Sequence, residues 1–535
     1  MAMGCDRRDF LKRGMGCGAL MAMSSSRVLA ASRAAAGVKP NILLIYTDDQ
    51  GIGDVGCFGS DIPTPNLDAL AAEGMRFTNF YAPQSVCTPS RYGLLTGCYP
   101  ARSQAGLDEV AMPGDNDHLT ADEKTIGEKL QQSGYHTALI GKWHLGSTQE
   151  SYRPQNHGFD LFTGHLGGCI DYYRHEYGSK GKDWYVNGQK KDEQGYATDL
   201  LTDHALTYFD DRKKGTKPFF LYLSYNAPHY AKTDPNNIPD NTLVVKTMGK
   251  QKNTLQAPPE YLEKFKHIKD EKRRYYAAMV ANLDDNVGRV VQRLKDNGQY
   301  DNTMIWFISD NGADEDYGGD NGIFSGEKAT LHEGGIRMPA FVTWPGHIPA
   351  GRVVDQLAGA IDVAPTLAAL TGDSDLGGLP VDGVDLSSVL LDGDFFARNL
   401  FWISGSGNVH AFRRENWKLR NGKLFDLAKD PGEQNDVATS NASALNDIKQ
   451  RFEQTRAALE AGKSTDPQIY RDPSKKKSPP RKSLVPAGVE IRRSGTSLQV
   501  QVPAAYRGAI CSLHDARGGL VRRQRVAGSH SALAV

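Results

Sequence analysis

"NILLIY" (41–46) passes without a break into Thr47-Asp48-Asp49. A near-continuous apolar run of this length, cut off by acids, reads as a strand buried on both faces of a parallel sheet. The same design recurs three times. "HTALIG" (136–141) runs into Lys142-Trp143-His144, "PFFLYLSY" (218–225) into Asn226-Ala227-Pro228-His229, and "MIWFIS" (304–309) into Asp310-Asn311-Gly312.

Between these runs the pattern is helical. Thr64-Pro65 opens "NLDALAAEG", which Gly74 closes, and Thr125 and Glu128 are spaced as a capping box. Met279, Val280, Leu283, Val287, Val291 and Leu294 keep helical spacing. Strands alternating with helices predict an α/β fold, in which ligands bind beyond the carboxyl ends of the strands. The polar clusters fall at those ends. Asp48, Asp49, Asp310 and Asn311 offer hard oxygen donors of the kind calcium or magnesium takes, with solvated loop acids or helix caps as the alternative. Lys142, His144, His229 and Arg91 would share the rim. A hard cation ringed by Lys, Arg and His suits a doubly oxygenated anion, a sulfate or phosphate ester.

Cys87 is the candidate nucleophile of such a site, although soft sulfur pairs poorly with a hard cation. Its surroundings, "CTPSRYGLLTG" (87–97), resolve the mismatch. They match the type I sulfatase motif Cys-x-Pro-Ser-Arg-x-x-x-Leu-Thr-Gly at every fixed position. "NILLIYTDDQGIGDVGCFG", "TIGEKLQQSGYHTALIGKWHLG", "KPFFLYLSYNAPH", "ISDNGAD" and "GEKATLHEGGIRMPAFVTWPG" resemble further segments in family order, so the likeness spans about residues 38 to 460.

That resemblance implies an alkaline-phosphatase-like α/β fold: a mixed, mostly parallel sheet flanked by helices, with a smaller C-terminal α+β domain. It implies calcium held by Asp48, Asp49, Asp310, Asn311 and an oxygen of modified Cys87, the cysteine having been oxidised to formylglycine by a maturation enzyme that reads the motif. Arg91 would hold the hydrated aldehyde, and Lys142 and Lys328 the sulfate oxygens. His144 would take a proton from the diol and His229 would give one to the leaving alcohol, the reaction passing through a formylglycine-sulfate covalent intermediate. One departure lies at Ser325-Gly326-Glu327-Lys328, where family members often read Arg-Gly-x-Lys; Glu327 puts an opposite charge next to Lys328.

Three features carry less. "GGCIDYYRHEYG" (167–178) resembles a loop of arylsulfatase B-like enzymes, with His175 in its motif and Tyr172 and Tyr173 able to stack on a sugar; a packed loop with a surface histidine is the alternative. Asp284-Asp285 lies on a helix and reads as solvated or capping. Cys57 and Cys98 read as buried or paired.

At 535 residues the chain holds two to three domains' worth of core. Residues 1–36, with Arg7-Arg8 ahead of a mildly apolar run, read as a twin-arginine signal for the Tat export machinery, against a chance basic N-terminus before a buried helix. A catalytic domain is expected over 38–395, a small antiparallel sheet plus helix over 396–465, a basic proline-rich linker over 466–486 and a small β appendage over 487–535. Lys plus Arg and Asp plus Glu balance at 63 each, so no global field draws nucleic acid or anionic membrane. No stretch after the signal approaches the roughly 20 apolar residues of a membrane span, and the expected location is periplasmic or secreted. Of seven cysteines, Cys57, Cys87, Cys98, Cys169 and Cys511 follow the signal, with no metal-knuckle spacing. The reading is an exported sulfatase acting on sulfated carbohydrate. A phosphonate or phosphate diester hydrolase of the same superfamily, or a silent glycan-binding relative, are the competing readings.

Overall fold

The four apolar runs are strands, and they are neighbours. In the computed structural model, which describes residues 39–372, 375–378, 380–404, 409–463 and 465 together with backbone strands between 490 and 534, Thr303–Ser309, Asn41–Thr47, Phe219–Ser224 and His136–Lys142 pair in parallel in that order. The expected signal and basic linker lie outside the described residues. A fifth parallel strand, Leu161–His165, extends the block. Short strands on both flanks, paired antiparallel except for Arg352–Val354 beside Met75–Phe77, complete a ten-stranded mixed sheet.

Both faces of the block are covered, as continuous apolar runs require. Along Asn41–Thr47 the side chains alternate, and Ile42, Leu44 and Tyr46 pack with the helices Cys87–Thr96, Ile126–Gln132 and Val363–Leu370. Leu43 and Ile45 pack on the other face with Pro65–Ala72, Ala197–Lys213 and Glu271–Asp296. The expected capping box forms: Thr125 Oγ1 accepts from the Glu128 amide and the Glu128 carboxylate from the Thr125 amide. Caps of this kind contribute about 1 kcal/mol.

The four-stranded antiparallel sheet Asn399–Ile403, His410–Arg414, Trp417–Arg420, Lys423–Asp426 carries the helix Ala442–Glu460 on a third core of Tyr99, Phe401, Trp402, Phe412 and Phe452. Glu333 ties this layer to the main sheet. Its buried carboxylate receives Tyr81 Oη at 2.6 Å, Lys418 Nζ at 3.0 Å, Arg337 at 3.1 Å and Arg413 at 3.3 Å. Within 487–535 the backbone forms a three-stranded sheet (Glu490–Ser494, Ser497–Gln501, His530–Ala534) and a separate pair (Ile510–His514, Leu520–Arg525). Among the described residues no helix is long and apolar enough to cross a membrane.

Candidate active site

Parallel register brings the strand ends together. Thr47 lies beside Ser309, and Tyr46 and Gly141 both lie beside Ser224. The residues that follow, Asp48-Asp49, Asp310-Asn311 and Lys142 through His144, therefore emerge on one rim. Gly141 makes the close spacing workable: at φ +121° its missing Cβ would sit 1.8 Å from the Ser224 carbonyl oxygen. A side chain there would wedge Lys142 away from its partners.

Cys87 is the first residue of a wholly buried helix, and Arg91 lies one turn on, hence on the same face. The Arg91 guanidinium reaches Asp310 Oδ2 at 3.1 Å and Asp48 Oδ2 at 3.6 Å. It also donates to Ser224 Oγ at 2.5 Å and to Tyr222 Oη at 3.3 Å, and lies over the Tyr46 ring. Lys142 Nζ holds Asp48 Oδ2 at 2.6 Å. Lys328 Nζ holds Asp49 Oδ2 at 2.6 Å, and Asn311 Nδ2 donates to Asp49 Oδ1 at 2.8 Å. The neighbouring Glu327 does not capture Lys328, because its carboxylate accepts from the Glu315 amide at 2.7 Å.

Each histidine has a tautomer set by a backbone carbonyl. His144 Nε2 donates to Ala111 O at 2.9 Å, which leaves Nδ1 as an acceptor 3.3 Å from Cys87 Sγ. His229 Nδ1 donates to Tyr230 O at 2.7 Å, which leaves Nε2 to accept from Lys328 Nζ at 3.0 Å, with Asp49 Oδ2 3.4 Å away. Burial pushes both imidazoles well below the usual histidine range, reinforced at His144 by Lys142 and at His229 by Lys328. Both rings are therefore neutral at neutral pH. Asp49 and His144 each sit at φ 59°, a left-handed conformation that costs of order 1 kcal/mol or more in a non-glycine residue and clusters at functional sites.

The acids fit a hard cation. Donor atoms of Asp48, Cys87 and Asp310 lie within 4.8 Å of one another, as do those of Asp48, Asp49 and His229. Asp48 Oδ1 and Asn311 Oδ1 are buried with no hydrogen-bond partner. An unsatisfied buried acceptor costs about 1–3 kcal/mol, so two in one cluster point to a ligand for oxygen. Burial, then the nearby Asp48 charge, pushes the Asp310 carboxyl up to about 6; a divalent cation would reverse that. Three acids and three cations, Asp48, Asp49, Asp310 against Arg91, Lys142, Lys328, cancel one another. A divalent cation would leave the site net positive and ready for an anionic ester.

Every site residue expected from the sequence thus falls within one cluster. Several supporting groups were not foreseen. Ser224 bonds both Arg91 and the Lys142 carbonyl oxygen, and was visible only as a polar break in an apolar run. The Ala111 carbonyl and Gly168, whose added Cβ would lie 2.6 Å from the His144 ring, carry no sequence signal.

The loop 167–178 departs from the sugar-stacking expectation. Tyr172 is fully buried, stacked on Tyr196 at 5.0 Å, and its hydroxyl donates toward the Asn226 and His229 carbonyl oxygens, so it braces the loop 226–229 from behind. Tyr173 packs on the same ring. His175 is buried against Trp184 at 4.4 Å and is not a surface histidine. Asp284 is a cap: it accepts from the Asn66 and Leu67 amides at the start of the helix Pro65–Ala72. Cys57, Cys98 and Cys169 are free thiols, Cys98 and Cys169 buried and Cys57 half-buried.

Residues 40–373 match the family model described as Sulfatase. The chain is 34% identical to mouse (Mus musculus) arylsulfatase J over 454 residues, covering 80% of this chain and 70% of that protein. It is 33% identical to human (Homo sapiens) N-acetylgalactosamine-6-sulfatase over 398 residues, 68% of each. The crystal structure of Ps i-CgsB in complex with k-i-k-neocarrahexaose superimposes with a TM-score of 0.70 at 32% identity, covering 82% of this chain and 96% of that one. A phosphonate monoester hydrolase of Agrobacterium radiobacter, at 21% identity and a TM-score of 0.54, shares the fold alone.

Proposed function

The chain belongs to the sulfatase family and is a sulfuric ester hydrolase, and from that premise we propose that it desulfates sulfated carbohydrates at the cluster around Cys87. The observation that supports this most is the placing of three cations and two histidines about one residue, Cys87, whose sulfur stands where the matured residue would present oxygen. A solved neighbour at 32% identity, Ps i-CgsB, was crystallised with k-i-k-neocarrahexaose. The twin-arginine N-terminus supports an exported enzyme.

Asp48, Asp49, Asp310 and Asn311 would hold calcium, a hard cation that offsets the charge of the ester. Oxidation of Cys87 to formylglycine would supply a hydrated aldehyde, one hydroxyl for attack on sulfur and a second for releasing sulfate. The chain's own residues do the rest. Arg91 fixes the side of residue 87 that faces Asp310. Lys142 and Lys328, each now paired with an aspartate, would bind the sulfate oxygens, and a cation held by those aspartates would leave the lysines free to do so. His144 Nδ1, bare and aimed at residue 87, accepts the hydroxyl proton. His229 Nε2 already receives a hydrogen bond from the Lys328 ammonium; the arriving anion raises its basicity so that it takes up a proton from solvent, and it then passes that proton to the departing alcohol oxygen.

Side-by-side assays on sulfated galactose, N-acetylgalactosamine, fucose and glucosamine saccharides and on a phenylphosphonate ester test the substrate class. Release of sulfate from at least one saccharide, at a kcat/KM well above that for the phosphonate, is expected. Preference for the phosphonate would overturn the reading. The all-oxygen donor set also predicts calcium by elemental analysis of the folded, active protein. Activity should be lost on chelation and regained with calcium, and stoichiometric zinc in its place would contradict the site as drawn.

A further inference from the structure

His229 faces the leaving alcohol in the proposed reaction, so the chain that follows it borders the leaving sugar. That chain turns at once into a small antiparallel sheet, Thr242–Met248, Gln251–Gln256 and Ala231–Thr233. In its register Lys232 lies opposite Asn253, and Asn253 opposite Lys246. Residues directly opposite one another share a face, so these three form one row across the sheet. The row is pinned by two aromatic rings. Tyr230 and Tyr317 stack at 4.4 Å, and Asn253 Nδ2 donates to Tyr317 Oη at 2.5 Å.

Three ammonium groups converge on this pair. Lys328 Nζ lies 5.7 Å and Lys232 Nζ 5.6 Å from the Tyr230 ring centre, while Lys246 Nζ lies 5.3 Å from that of Tyr317. Their charges are not equivalent. Lys328 is paired with Asp49 and Lys246 with Asp316, whereas among the described residues no carboxylate pairs with Lys232. Lys232 is half-buried on a strand whose flanking residues, Ala231 and Thr233, are fully buried, so its backbone is held by the sheet and its ammonium lies over the Tyr230 ring. A cation with no carboxylate partner among the described residues, rooted in that sheet and sharing one ring with Lys328, is arranged to take a second anion.

We propose that Lys232, backed by the Tyr230–Tyr317 pair, binds a second anionic substituent, a sulfate or carboxylate, on the saccharide whose sulfate ester is cleaved. The inference rests on the carbohydrate reading above. It makes the preferred substrate a multiply charged saccharide. The second anion binds alike in ground and transition states, so the preference appears in kcat/KM, chiefly through KM.

The test compares a singly sulfated disaccharide with its counterpart carrying one more sulfate on the adjacent sugar, for wild type and for Lys232→Met, which keeps the apolar stem. Wild type should favour the doubly sulfated substrate by about tenfold in kcat/KM, the order expected of one charge-assisted contact, and less so as salt is raised. Lys232→Met should bring the ratio near one, mainly through loss on the doubly sulfated substrate, and Lys232→Arg should restore much of it. Lys264→Met, which removes a lysine paired with Asp285 on the helix Pro259–Lys264, serves as the control for general charge and should keep the ratio. A wild-type ratio near one, or a preference that survives in Lys232→Met, overturns the subsite while leaving saccharide desulfation intact. If wild type hydrolyses nitrophenyl sulfate but neither saccharide, the carbohydrate reading fails and takes the subsite with it.

Discussion

Cys87→Ala should abolish turnover of every sulfate ester the enzyme accepts, lowering kcat by about 10⁴-fold or more, as removal of a covalent nucleophile does elsewhere. The size of the effect follows from the site's construction. In the proposed reaction Arg91, Lys142, Lys328, His144 and the acids hold charge or move protons, each already engaged with a neighbour, and the attack is left to residue 87. Nor does the bare thiol suffice. Burial pushes the Cys87 thiol up from its ordinary range, so at neutral pH it stays protonated and is a weak nucleophile. Protein expressed without the maturation enzyme should therefore be nearly as inactive as the alanine variant. Thermal unfolding close to that of wild type distinguishes loss of chemistry from loss of fold, because Cys87 opens a helix whose other residues are buried independently of it. Substantial activity in Cys87→Ala would remove residue 87 from the mechanism.

His229→Ala should cost about 10²–10⁴-fold on a sulfated saccharide, the range of a positioned general acid, and visibly less on a nitrophenyl sulfate. A sugar hydroxyl is a poor leaving group and needs the proton; a nitrophenolate departs without it. The geometry sharpens the expectation. His229 Nε2 is hydrogen-bonded by Lys328 and the ring is held by the Tyr230 carbonyl, whose own loop is braced by Tyr172. The comparison calls for single-turnover assays on both substrates, so that proton removal by His144 in a later step does not mask the first. Equal losses on the two substrates would make His229 a sulfate-binding or positioning residue, and the acid role would be abandoned.

The strands that build the site were legible because they are buried on both faces: three of them hold five apolar residues in a row, the fourth holds Ala138-Leu139-Ile140 between Thr137 and Gly141, and each of the four ended in the polar residues that meet at the rim. Leu161–His165, the fifth parallel strand, was not, since "LFTGH" is short and mixes Thr and Gly into the run. The flanking strands Met75–Phe77 and Arg352–Val354 have three residues each, too few for a period. Among functional groups, charged side chains at strand ends announced themselves, while the carbonyl oxygens of Ala111 and Tyr230 that set the histidine tautomers are backbone and invisible to residue type. For Tyr172 the sequence left a sugar-stacking face and a packed loop open, because an aromatic in a polar loop suits either. In the structure its ring fills a gap against Tyr196 and its hydroxyl satisfies two carbonyl oxygens. Lys328, reached in sequence only through resemblance, sits with Asp49 because the Ala329 amide and the Lys328 amide are tied back to Ser85 and Ala313.

The account turns on what residue 87 is in the working enzyme. Mass spectrometry of the peptide spanning Tyr81 to Arg91, taken from protein of measured sulfatase activity, should find the aldehyde at position 87 in a fraction that tracks activity from one preparation to the next. Fully active protein carrying only the unmodified thiol there would contradict it.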